Sequence, residues 1–152
     1  MPHPENTFTF DPTTTIKLNR DGTIAIQNSD EAVTFSKKDK PTFRNDTTGE
    51  TVLEYSGAVV DQRMDRSWAH AYFDPQGFSP LHYHNDRFEI YYIIKGKAEV
   101  TLDGDAHFLT PGEFILIHPK QKHQVKSVDV TDPLEMIVKC FPSWIYQDQH
   151  LI

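Results

Sequence analysis

Pro80-Leu81-His82-Tyr83-His84-Asn85-Asp86-Arg87-Phe88-Glu89-Ile90-Tyr91-Tyr92-Ile93-Ile94-Lys95-Gly96 sets two histidines two residues apart, then a polar break, then an apolar run closed by glycine. An i, i+2 spacing puts both imidazoles on one face of a strand. Residues 88–94 are rich in Ile, Tyr and Phe and too short for a globular helix, so they read as a further strand that begins beside Glu89. The short connection at Asn85-Asp86-Arg87 predicts a hairpin-like return that brings the Glu89 carboxylate beside His82 and His84. Alternation from Glu89 turns Tyr91 and Ile93 inward as candidate pocket walls, with ordinary core packing as the competing reading.

Outward from this stretch the punctuation is dense. Asn45-Asp46 with Gly49, Asp74-Pro75 with Gly77, Lys95-Gly96-Lys97, Asp103-Gly104-Asp105, Pro111-Gly112, His118-Pro119 and Asp132-Pro133 leave segments mostly too short for helices. Between them, 51–60, 68–73, 88–94, 98–102, 113–117, 123–128 and 134–141 read as strands. Many short strands at near-regular spacing predict an all-β sandwich or barrel. Upstream, Thr14-Ile16-Leu18 and Ile24-Ile26 flank Asn19-Arg20-Asp21-Gly22 and predict a hairpin. The region 1–50 is more polar and carries too little apolar surface for its own core. It is therefore expected to be a β extension of the same domain, with the barrel at 51–152.

Composition narrows the function classes. A chain of 152 residues favours one domain. Its formal charge of −7 and the lack of any basic cluster beyond Lys37-Lys38 or Lys120/Lys122 argue against nucleic acid and anionic membranes. The longest apolar run, Ile90 to Ile94, is far below the roughly 20 residues of a membrane span. The start Met1-Pro2-His3-Pro4-Glu5-Asn6 has no secretory pattern, and Cys140 is the only cysteine, so a reducing cytoplasmic location is expected. Within Met136-Ile137-Val138-Lys139-Cys140 that cysteine reads as a small buried apolar residue.

The unusual feature is eight histidines, five of them between positions 82 and 123. His107 reads as a surface strand residue, and His118 as either a turn residue or a pocket wall. His123 opens a strand after the Pro119 turn and turns Val125 to the same side. It is a further candidate ligand beside His82, His84 and Glu89. Three neutral imidazoles and one carboxylate suit one divalent first-row metal, Fe, Mn, Ni or Zn, with a position left for water or substrate. Because bound imidazoles must be neutral, metal is expected to leave below about pH 5 to 6. Trp68, His70 and Tyr72 share one strand face and can line the pocket, or Ala69, Ala71 and Phe73 can; parity stays open.

Written as His82-x-His84-x4-Glu89-x6-Gly96 and Gly112-x5-His118-x-Lys120-x2-His123-x3-Ser127, the segment resembles the two motifs of the cupin superfamily. The 15 residues between Gly96 and Gly112 match the short spacing of small microbial members, and the run from Pro133 to Trp144 resembles their last strand and tail. His118, Lys120 and Ser127 stand where proline, glycine and asparagine are common, and Gly77 lies one residue closer to His82 than usual. The resemblance covers roughly the C-terminal half. It implies a small jelly-roll barrel, a metal held by His82, His84, Glu89 and His123 inside the barrel mouth, and a homodimer.

A dication in this shell keeps a residual charge of about +1 and favours oxygen-bearing small molecules. Iron suits dioxygenase chemistry; zinc, manganese or nickel suits proton shuttling in a sugar isomerase, epimerase or lyase. The expected function is thus a metal-dependent enzyme on a small oxygenated organic molecule. The alternatives are a non-catalytic small-ligand-binding or sensor barrel, and a metal-free structural barrel. No catalytic residue is assigned from sequence.

Overall fold

A computed structural model describes residues 6–11, 13–36 and 40–152. The segment 1–5 and the Lys37-Lys38 pair, read above for signal and charge, lie outside the described residues. Strands form wherever the sequence alternates between breakers, and the chain divides into two compact units at residue 40.

The first unit is one antiparallel sheet of β1 (Asn6–Asp11), β2 (Thr14–Leu18), β3 (Ile24–Gln27) and β4 (Ala32–Phe35), in that order. The predicted hairpin is β2–β3, with Ile16 opposite Ile26 and Leu18 opposite Ile24. Its turn closes through Asn19 N–H to the Thr23 carbonyl at 3.0 Å, with Gly22 left-handed at φ 88°. Thr14, Ile16, Ile24 and Ile26 form its buried face.

The second unit is two sheets. The larger contains β5 (Phe43–Asn45), β6 (Glu50–Ser56), β7 (Ser67–Phe73), β9 (Phe88–Lys95), β12 (Phe114–Ile117) and β14 (Leu134–Phe141), ordered β12-β9-β14-β7-β6-β5. The smaller contains β8 (His82–Tyr83), β10 (Ala98–Leu102), β11 (Asp105–Leu109), β13 (His123–Ser127) and β15 (His150–Leu151), ordered β11-β10-β13-β8-β15. All pairs are antiparallel, so the all-β architecture predicted from the strand pattern is present, in the jelly-roll form that the resemblance implies. The only described helical element is a single 3-10 turn, Tyr146–Asp148. No described helix is long and apolar enough to cross a membrane.

Two boundaries differ from the reading. The barrel begins before residue 51, because Phe43 pairs with Val52 and Asn45 with Glu50 across a turn closed by Gly49 at φ 78°. The strand expected at 51–60 ends at Ser56. There Glu54 Oε2 accepts the N–H groups of Val59 and Val60, and Asp61 accepts that of Gly57, so side chains take the backbone donors a continuing strand would use.

Register across the large sheet positions the site. Glu89, Cys140 and Ser67 lie in one row; Tyr91, Val138, Ala69 and Glu54 in the next; Ile93, Met136, Ala71 and Val52 in a third. The interior face therefore grades from polar at one end to apolar in the middle. Ala71, Phe73, Tyr91, Ile93, Val125 and Met136 belong to the barrel's core, which also includes Val100 and Ile117.

Candidate metal centre

His82 and His123 are direct cross-strand partners on β8 and β13, and His84 follows β8 immediately. Glu89 comes from β9 in the other sheet. The expected hairpin return between His84 and Glu89 is thus corrected: β8 pairs with β13 and β15, and Glu89 meets the histidines across the interior. The polar link 84–87 is a crossover between sheets. Facing sheets lie about 10 Å apart, which inward-pointing imidazole and carboxylate side chains can bridge.

The four residues are all buried, and one donor atom from each lies within 4.8 Å of the others. Each imidazole is oriented from behind. His82 Nδ1 donates to the Pro80 carbonyl at 2.7 Å, His84 Nδ1 to that of Asp148 at 2.9 Å, and His123 Nδ1 to that of Gln121 at 2.9 Å. Those bonds select the tautomer whose Nε2 lone pair faces inward, the usual outer-sphere arrangement of ligating histidines. Glu89 Oε1 stands 3.1 Å from His123 Nε2 and 3.7 Å from His84 Nε2, while the Cys140 thiol donates to Oε2 at 3.2 Å. Cys140 is buried as read, but it also orients the carboxylate.

This set fits a cation. His84 Nε2 is fully buried with no hydrogen-bond partner, and leaving such an atom unsatisfied costs about 1–3 kcal/mol. Burial, then the neighbouring His123, pushes His82 down to about 4. Burial disfavours ionised Glu89, yet the adjacent imidazoles of His123 and His84 outweigh it and hold the carboxyl well below its usual range. Three inward lone pairs and one carboxylate then converge with no competing donor between them, as a hard or borderline dication requires.

The cluster opens on a cavity of about 150 Å³ whose lining includes His82, Glu89, Tyr91, Ala69, Val138 and Cys140. An apolar cavity of that size holds a molecule about as large as benzene. Tyr91 lines it; burial and the nearby Glu89 push its hydroxyl well above the ordinary value. Ile93 and Val125 instead pack in the hydrophobic core and do not line it. His118 is exposed in the turn after β12, its ring edge-on to Phe88, so it is no pocket wall. His107 is exposed on β11 as expected.

His70 and Tyr72 face away from the cavity. Ala69 and Ala71 are the inward residues of β7, in register with Val138 and Met136, and parity sends His70 to the opposite face. There His70 Nδ1 accepts from Tyr72 at 3.1 Å and Nε2 donates to Glu135 at 3.1 Å. Small alanines leave space where larger side chains would fill the barrel.

Three features escaped sequence reading. Asp148 is the anchor behind His84: its carboxylate accepts from the N–H of Asn85 at 2.9 Å, that of Asp86 at 3.3 Å and Arg87 Nε at 2.7 Å. It lies more than sixty residues from its partners, and no local pattern marks it. Glu50 lines the cavity, and burial, then the negative Glu89, pushes it up to about 7. The alternation Glu50-x-Val52-x-Glu54 on a strand was its available signal. Lys120 is left-handed at φ 70° and donates its N–H to the His84 carbonyl at 2.6 Å, so the position where glycine is common keeps its backbone form.

Two antiparallel sheets enclosing a three-histidine, one-glutamate pocket define a small jelly-roll barrel with a candidate metal site. Residues 69–140 match the family described as Cupin domain, and the two-sheet fold is the one that solved cupin structures share. An uncharacterized protein of Methanocaldococcus jannaschii is 27% identical over 115 residues, 76% of this chain and 90% of that one. The fold is shared with KdgF from Halomonas sp., at 19% identity, 66% of this chain, 86% of that chain and TM-score 0.58. It is also shared with a recombinant oxalate oxidase in complex with glycolate, at 24% identity, 71% of this chain, 58% of that chain and TM-score 0.56.

Proposed function

We propose that the protein is a metal-dependent enzyme acting on a small oxygenated organic molecule. The observation that carries this reading is the convergence of His82, His84, Glu89 and His123 beside a cavity that His82 and Glu89 line, with each histidine Nδ1 tied to a carbonyl. Those four side chains would hold one divalent transition ion, iron, manganese, nickel or zinc. When bound it supplies a Lewis acid that polarises a carbonyl or stabilises a developing oxyanion.

The chain's own residues do the rest. The carbonyls of Pro80, Asp148 and Gln121 orient the imidazoles, and Cys140 keeps Glu89 Oε2 engaged. Val52, Ala71, Met136 and Val138 form dry walls that strengthen charge interactions inside. Tyr91 keeps its phenolic proton and can donate it to a bound oxygen. Reaction type is oxygenase-like or isomerase, epimerase or lyase-like, and similar folds include an oxalate oxidase and a sugar phosphate isomerase. The reading includes a cytosolic homodimer, supported by the family resemblance and by a single buried cysteine.

Elemental analysis of untagged protein beside a His82→Ala/His84→Ala double variant, followed by turnover screening of hydroxylated and carbonyl compounds, tests it. Near-stoichiometric metal lost in the double variant, with turnover abolished in Glu89→Ala, is expected. Saturable ligand binding that raises Tm without any product would instead mark a non-catalytic binding or sensor barrel.

A further inference from the structure

Two of the four clustered side chains, His82 and Glu89, line the cavity, and the rest of its lining is unusual in charge. β6, three strands from β9 in the large sheet, turns Glu50, Val52 and Glu54 inward, and all three line the cavity. The two carboxylates differ in employment. Glu54 is buried and spends Oε2 on the N–H groups of Val59 and Val60. Glu50 is half-buried, and its carboxylate makes no hydrogen bond or ion pair to any described residue.

No described Lys or Arg lines the cavity. The cations nearby are committed elsewhere: Arg87 is bound to Asp148, Asp86 and the Ser143 carbonyl, and Lys139 lies over the Trp68 and Phe141 rings on the opposite sheet face. A bound molecule with a second anionic group would set it near Glu50 without any compensating charge. A hydroxyl or ammonium there would satisfy the carboxylate that lacks a donor. Burying a charge is tolerated only when it is paired or hydrogen-bonded, so the two cases differ strongly.

We infer that Glu50 is the specificity-determining residue of this site, selecting small molecules that carry a hydroxyl or ammonium group away from the metal-binding end and rejecting those with a second anionic group there. This rests on the metal-centre reading above. The role needs no chemistry beyond binding. It assigns to Glu50 the contact that the ligand cluster cannot make.

The test uses three hydroxamates that share a metal-binding end and a two-methylene spacer and differ in the terminal group: 3-aminopropanohydroxamate, butanohydroxamate and succinomonohydroxamate. Zinc-loaded full-length protein, Glu50→Gln and Glu50→Lys are titrated by calorimetry at about pH 8, above the value near 7 to which burial pushes Glu50. Wild type is expected to bind the ammonium probe at least about tenfold more tightly than the carboxylate probe. Glu50→Gln should shrink that ratio at least about fivefold and Glu50→Lys should reverse it, with zinc content equal in all three. Zinc retained with an unchanged ratio in both variants, or a carboxylate probe preferred by wild type, overturns the Glu50 assignment and leaves the metal centre standing. Zinc no higher in wild type than in the His82→Ala/His84→Ala variant overturns the metal centre and this inference together.

Discussion

Burial alone would make His82 and His84 weak bases, yet the two part company. His82 is held down to about 4 by desolvation and by His123, whereas for His84 the desolvation is outweighed by Glu89 and the value rises. The sign of each contribution to stability follows. A proton affinity lower in the folded state, as at His82, contributes stability that is fully present above the unfolded value near 6.5 and lost as pH falls toward 4. His84 works in the opposite sense, contributing below 6.5 and losing its contribution as pH rises through its folded value. Metal-free protein is expected to lose the His82 contribution to Tm between pH 6.5 and 4. His82→Asn should flatten that slope in scanning calorimetry; parallel curves for the two proteins would refute the assignment. Removing two imidazoles at once should cost the ion altogether, because one carboxylate and one histidine are too few for a buried dication. Metal content of the His82→Ala/His84→Ala variant near background, by elemental analysis, is the expected result.

Between strands, the turns carry constraints that the strands themselves do not. Gly96 closes β9–β10 at φ 80°, and an added Cβ would collide with the Pro133 carbonyl oxygen. Gly96→Ala is expected to destabilise by at least about 1–2 kcal/mol, read as a lower denaturant midpoint at unchanged slope. An equal midpoint would show that the 133–134 backbone yields freely. At the other end of the barrel the C-terminal 3-10 turn holds the metal-side loop. Asp148 accepts from Asn85, Asp86 and Arg87 through its side chain and from His84 through its carbonyl. Asp148→Ala keeps the carbonyl but releases the turn that aims it. Losses of outer-sphere partners typically weaken metal binding by about 10–100-fold, and chelator competition should read a loss in that range without change in circular dichroism. An affinity equal to wild type would reduce Asp148 to a loop fastener.

Taken whole, the chain joins a four-stranded sheet in residues 1–39 to the two-sheet unit of 40–152. A single small sheet with one buried face of Thr14, Ile16, Ile24 and Ile26 buries too little surface to offset its conformational entropy. Residues 1–39 expressed alone are therefore expected to be unfolded by circular dichroism, whereas the full chain should show a strand spectrum without a helical double minimum. A folded fragment would establish the extension as a domain in its own right.

What was legible in the sequence was what depends on near neighbours. Alternation located β2 and β3, breakers and the Val, Ile, Tyr and Phe between them located β6, β7, β9, β10, β12, β13 and β14, and the i, i+2 spacing of His82 and His84 named two of the four clustered side chains. Strands of two or three residues, such as β8 and β5, leave too few positions for a period to register, and β11 went uncounted next to its Asp103-Gly104 turn. Parity was equally out of reach. Trp68-Ala69-His70-Ala71-Tyr72-Phe73 is apolar or aromatic on both faces, so only pairing with Val138 and Met136 decides that the alanines face inward. Tertiary structure also decided that Glu89 approaches from the opposite sheet, that Asp148 stands behind His84, and that Glu50 is a carboxyl without a partner in the same cavity. Each of these is set by strand pairing or packing between residues dozens of positions apart. Local spacing selects residue types and faces, while which faces meet follows from the long-range burial that closes the barrel.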